Sequence, residues 1–150
     1  MIRIGIVGSD NSHAIALSQL CNLRETPAQR SIRGAKVVAL YGRVAERNAE
    51  VAEKGKIPKI VDNPGDMLGD VDAVFVVFRH GGLHYRHVAK FLEARVPAFV
   101  DKPLACSTAD AKKILALQEE TRAHDLLLHR AMGTGHPRPR EPVRQARRSA

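Results

Sequence analysis

The chain has 150 residues, 44% hydrophobic and 27% charged, with two cysteines and a net charge of +8. That composition suits one ordinary globular domain and excludes fibrous, low-complexity and disulfide-framed classes. No apolar run approaches the roughly 20 residues of a membrane span, and a strand pattern begins at once, so neither a membrane partner nor a signal peptide is expected and the cytoplasm is the expected compartment.

IRIGIV, residues 2–7, is a nearly continuous apolar run, as in a strand covered on both faces. Residues 12–22 read as a helix with Ala14, Leu17, Leu20 and Cys21 on one side. After a polar connection come a second buried strand, AKVVALYG at 35–42, and a helix at 44–55 closed by Gly55. KIPKIV, 56–61, reads as a short third strand, and NPGDMLGD, 63–70, as a turn. DAVFVVF, 72–78, is β-branched and aromatic, a strand signal. Residues 81–95 form a helix pattern with Leu83, His87, Val88, Phe91 and Leu92 inward. VPAFVDKP, 96–103, is a fifth strand stopped by Pro103, and 107–120 a helix capped by Ser107 or Thr108. This alternation predicts an α/β fold: a doubly wound parallel sheet in three layers, α/β/α, of Rossmann type.

The domain is expected to span residues 1–121, with a last strand within 122–129 and a disordered Arg/Pro-rich tail over 130–150. Residues 1–121 hold 17 Lys+Arg against 14 Asp+Glu, whereas 122–150 hold 7 Arg against 2 acids. The domain itself is only mildly basic, which argues against nucleic acid as its partner; an arginine tail that binds phosphate backbones stays open as a lesser alternative.

Three stretches carry chemistry. GIVGSDNSHA, Gly5–Ala14, is a strand, a tight turn and a helix start, the arrangement that offers amides to a pyrophosphate. Gly8 leads the loop, and a larger residue there is expected to block a dinucleotide while sparing the fold. Asp10 replaces the second glycine of the Gly-x-Gly-x-x-Gly fingerprint and puts a negative charge beside phosphates. Ser9, Asn11 and Ser12 add side-chain hydrogen bonding, and the amides of residues 11–14, His13 included, remain for an anion. A strand–helix turn without ligand is the equal alternative on this loop alone. The second strand ends in Gly42-Arg43, with no carboxylate for ribose hydroxyls and a cation suited to a 2′-phosphate, so NADP is favoured over NAD. Lys102, between Asp101 and Pro103, follows a buried strand and so stands at the carboxyl edge of the sheet, where open α/β folds bind ligands.

With these residues the chain resembles the N-terminal domain of the Gfo/Idh/MocA oxidoreductases. Asp101-Lys102-Pro103 matches that family's Glu-Lys-Pro motif, and residues 70–117 follow its pattern nearly throughout. The resemblance covers residues 1 to about 121 and implies an NAD(P)-dependent oxidoreductase acting on a sugar, cyclitol or related polyol. It implies that Lys102 polarises the reacting oxygen, while a general acid/base comes from a second domain. That domain is expected to be missing, by frameshift or truncation, so that the chain binds cofactor without turnover and meets a small polar substrate only when the domain is supplied. Arg79-His80 stands where the family usually has Thr-Pro; Arg79 joins the expected cofactor-side residues, and His84 takes a cofactor-side or a capping role. His80, His84 and His87 lack a nearby acid or thiol in sequence, so no metal is expected, and Cys106 has no evident base. A non-catalytic dinucleotide- or anion-binding module is the second reading, and homo-oligomerisation is left open.

Overall fold

The computed structural model describes residues 1–24, 31–121 and the backbone of 127–128. Its strands are β1 (Ile2–Val7), β2 (Ala35–Tyr41), β3 (Lys59–Ile60), β4 (Ala73–Val76), β5 (Ala98–Val100) and β6 (Leu127–Leu128). Its helices are α1 (Ser12–Asn22), α2 (Ala45–Gly55), α3 (His84–Glu93) and α4 (Thr108–Thr121). The six strands pair in parallel in the order β3-β2-β1-β4-β5-β6. The fold is the expected Rossmann α/β, and its order reverses between β1 and β4. That reversal opens a crevice at the carboxyl ends of the strands.

The core forms two layers, as a sheet covered on both faces requires. One gathers Val7, Val74, Val76, Phe78, Val88, Phe91, Leu92 and Ile114, joining the sheet to α3 and α4. The other gathers Ile4, Ile6, Ala14, Val37, Leu40 and Val51 against α1 and α2. Helices α1 and α2 touch closely at Ser18 and Gly55, where a Cβ on Gly55 would lie 2.1 Å from Ser18 Oγ. Asn22 ties the end of α1 to its neighbours: its side chain donates to the carbonyls of Val37 and Gly55, both at 2.9 Å, and accepts from the Val37 amide.

Several boundaries differ from the sequence reading. The third strand shrinks from six residues to Lys59–Ile60, because Lys56 turns left-handed at the end of α2 and Pro58 has no amide to donate. The fourth ladder stops at Val76, though the Val77 amide still bonds the Val7 carbonyl. Residues 81–83 form a 3-10 turn, and α3 begins only at His84. On α1 the fully buried positions are Ala14 and Ser18 rather than the larger Leu17, Leu20 and Cys21, since small residues let α2 approach. Ser107 caps α4, accepting from the Asp110 amide. The expected tail at 130–150 lies outside the described residues.

Candidate functional site

The loop after β1 shows how a Rossmann turn forms with one glycine. Gly8 has φ +115°, closed to most side chains, and a Cβ there would lie 2.7 Å from the Phe78 backbone nitrogen. Asp10 needs no such freedom, since no non-glycine residue of this loop has positive φ. Asn11 caps α1 by accepting from the His13 amide at 2.7 Å, and its side-chain nitrogen donates to the Val77 carbonyl. The His13 amide is thereby occupied, which corrects the expectation that residues 11–14 all present free amides. Those of Asn11 and Ser12 still stand at the helix start, where no earlier turn accepts from them.

Side chains of this loop reach its neighbours. The Asp10 carboxylate accepts from the Arg79 amide, at 3.2 and 3.3 Å, across the crevice. His13, at the third glycine position of the fingerprint, bonds the Asp101 carboxylate through Nδ1. Asp101 is 3% exposed and also accepts from the Lys102 amide at 2.8 Å. His13, Ala16, Leu17, Phe99 and Asp101 line a small cavity of about 200 Å³.

Ser9 corrects a second expectation. Its hydroxyl is buried and donates to Asn48 Oδ1 at 2.6 Å, so its one proton is spent within the protein even though the residue borders the cleft. Asn48 in turn donates to the Gly42 carbonyl at 2.9 Å. This pair fills the space over Gly42, where a Cβ would meet both Asn48 Oδ1 and Ser9 Oγ at 2.0 Å.

A cleft of about 330 Å³ opens between these parts, lined by Ser9, Asp10, Arg43, Val44, Arg47 and Phe78. Arg47 escaped the sequence reading. Its guanidinium donates to the carbonyls of Ser9 (2.8 Å) and Asn11 (3.2 Å) and pairs with Glu50. An arginine in the first turn of α2, where the helix dipole disfavours a cation, was the available signal. The hydrogen bonds from Lys54 and Arg47 hold the Glu50 carboxyl below its ordinary value.

The expected nicotinamide side is built from the loops after β4 and β5. Gly81 lets them pack, since its Cβ would lie 2.8 Å from the Pro103 carbonyl oxygen. Lys102 and Pro103 are exposed, and the bond between them is cis. Arg79 is exposed as well. His84 corrects a third expectation: its ring is fully enclosed, with Nε2 at 2.9 Å from the Phe78 carbonyl and Nδ1 at 3.2 Å from that of Leu104. It therefore holds the two loops together and has no surface for a cofactor. Cys106 is exposed and lies near the His80 ring, with Sγ 3.9 Å from Nε2 and 4.0 Å from Nδ1.

His87 packs under the cleft between Tyr41 and Phe78, with ring centres 5.6 and 4.7 Å away. Burial, helped by the charges of Arg86, Lys90 and Arg43, pulls its imidazole from 6.5 down to about 4. Below pH 6.5 the unfolded chain binds a proton here that the folded chain refuses. Stability is thus expected to fall as pH drops from 6.5 towards 4, by roughly 2 kcal/mol. Urea unfolding at pH 7 and 4.5 checks this: His87→Leu should lose that part of the pH dependence, and an unchanged slope would contradict it.

The residues fit a dinucleotide: a close-approach glycine, amides at a helix start and two cleft arginines lie at the crevice where the strand order reverses. The comparisons with known proteins agree. The chain is 32% identical over 128 residues to an inositol 2-dehydrogenase of Acidothermus cellulolyticus, covering 82% of this chain and 33% of that protein. It is 29% identical over 125 residues to the inositol 2-dehydrogenase of Paracoccus denitrificans, covering 79% and 33%. Among solved structures, scyllo-inositol dehydrogenase from Lactobacillus casei with bound NAD(H) and scyllo-inositol superposes with a TM-score of 0.71 at 21% identity, over 86% of this chain and 36% of that one. The chain spans about a third of the length of the curated relatives it matches. No helix among the described residues is long and apolar enough to cross a membrane. Residues 2–126 match the Gfo/Idh/MocA oxidoreductase family in its NAD-binding Rossmann fold, and the chain belongs to that family.

Proposed function

We propose that this domain binds NADP in preference to NAD and serves the oxidation or reduction of an alcohol on a cyclitol, sugar or related polyol. The observation that carries the reading is the end of β2. Gly42 leaves no carboxylate there, and Arg43 and Arg47 line the adjoining cleft. A 2′-phosphate gains charge-assisted bonds in such a place. The inositol dehydrogenases among the relatives support a polyol as substrate.

In this reading Gly8 and the amides of Asn11 and Ser12 receive the pyrophosphate, Arg43 receives the 2′-phosphate, and Arg47 holds the loop carbonyls in place. The nicotinamide, when bound, supplies the hydride chemistry. Lys102, exposed at the edge of the sheet beside Asp101, donates a hydrogen bond to the reacting oxygen. The 150-residue chain alone binds cofactor with little or no turnover, because positioning contributes much of such a rate and Lys102 by itself cannot position a polyol.

Calorimetric titration with both cofactors tests the preference. Arg43→Ala is expected to weaken NADP binding by about 1.5–3 kcal/mol and to leave NAD nearly unchanged. Equal losses would show that Arg43 does not read the 2′-phosphate. Robust polyol-dependent turnover by the pure chain, lost in Lys102→Ala, would overturn the statement about activity.

A further inference from the structure

Asp10 stands at the second glycine position of the fingerprint, although its backbone conformation makes no demand for glycine or for aspartate. Its side chain is exposed, and both carboxylate oxygens face the amide of Arg79, at 3.2 and 3.3 Å. No cationic side chain pairs with it among the described residues. Asp10 follows β1 and Arg79 follows β4, the two strands between which the sheet order reverses. The contact therefore spans the switch-point crevice, where a ligand's phosphates meet the start of α1. Gly8 and Phe78 bring the same two loops close just beneath it.

We propose that the Asp10 carboxylate is an affinity-setting latch: it occupies the Arg79 amide across the crevice and must be displaced for a diphosphate-bearing ligand to bind. This rests on the reading of the crevice as the cofactor site. A bound diphosphate meets two costs here. It must break the Asp10 contact, and it must lie beside a carboxylate that repels it. The bonds are long and solvent-exposed, so the latch opens without disturbing the fold. The penalty falls mainly on the diphosphate: a ligand held by Arg43 and Arg47 alone leaves the Asp10–Arg79 contact unbroken and meets only the repulsion of Asp10 from elsewhere in the cleft, offset by the two arginines. Asp10 thus discriminates among nucleotides by the charge they carry across the crevice.

The test compares the wild-type chain with Asp10→Asn, which keeps an acceptor and removes the charge, and Asp10→Gly, which removes both. NADP and adenosine 2′-monophosphate are titrated into each by calorimetry at low salt. NADP is expected to bind about tenfold tighter to Asp10→Asn and tighter still to Asp10→Gly, while the monophosphate changes less than twofold. Amide hydrogen exchange at Arg79 in the unliganded chain is a second readout and is expected to speed up in Asp10→Gly. Weaker NADP binding in the variants, or an equal change for both ligands, overturns the latch. So does unchanged exchange at Arg79. If no form of the chain binds NADP or NAD while exchange at Arg79 still responds, the contact stands and the cofactor reading is what fails.

Discussion

Gly8→Val is expected to abolish dinucleotide binding and to cost the fold about 3 kcal/mol or more. Two independent strains add at this position. The backbone sits at φ +115°, and the new Cβ would fall 2.7 Å from the Phe78 nitrogen, 3.0 Å from its ring and 3.1 Å from its Cα. A backbone neighbour cannot rotate aside, so the β1 and β4 ends must part. From sequence this substitution was expected to spare the fold; the contact with Phe78 removes that expectation. Loss of binding follows as well, because the parted loops no longer present the helix start to a phosphate. Urea unfolding measures the first effect and calorimetric titration with NADP the second. A valine variant with native stability and affinity would refute both the strain and the loop's role.

The second large effect concerns Gly42. An aspartate at the end of β2 is the ordinary route to ribose hydroxyls, so Gly42→Asp looks like a switch towards NAD. It is instead expected to destabilise the domain by about 2–4 kcal/mol without raising NAD affinity. The new Cβ would sit 2.0 Å from both Ser9 Oγ and Asn48 Oδ1. Those atoms are buried and bonded to each other, and Asn48 also holds the Gly42 carbonyl. Making room breaks the pair and leaves polar groups without partners. Thermal melts and NAD titration of Gly42→Asp check this, and a stable variant with improved NAD binding would contradict it.

What could be read in advance, and what could not, divides by distance along the chain. The apolar runs of β1, β2 and β4 announced themselves, because a strand covered on both faces leaves a nearly unbroken signature. Lys102 could be placed at the sheet edge because it follows such a run directly. Gly8 was legible because a strand–helix turn needs it. The partners of the loop were not. Asp10 meets a backbone amide 69 residues away, and His13 meets a carboxylate 88 residues away. Periodicity reports which face of an element is buried and is silent on which loops meet. For the same reason Ser9 was read as ligand-facing, since its partner Asn48 sits on another element. His84 was misplaced because its enclosure depends on two loops that converge only in the fold. The short third strand failed for a local reason, since Pro58 and the left-handed Lys56 consume residues that otherwise look extended.

The His13–Asp101 pair bears on how substitutions in this loop combine. A glycine at position 13 would restore the third fingerprint glycine, yet it would strand the Asp101 carboxylate, nearly sealed from water, with the Lys102 amide as its remaining partner. An uncompensated buried charge is among the costlier single lesions. Losing Asp101 first leaves only a half-exposed imidazole without its partner, a far milder state. The two substitutions are therefore expected to be non-additive, with His13→Gly costing more beside Asp101 than in an Asp101→Asn background, as a double-mutant cycle of unfolding free energies measures.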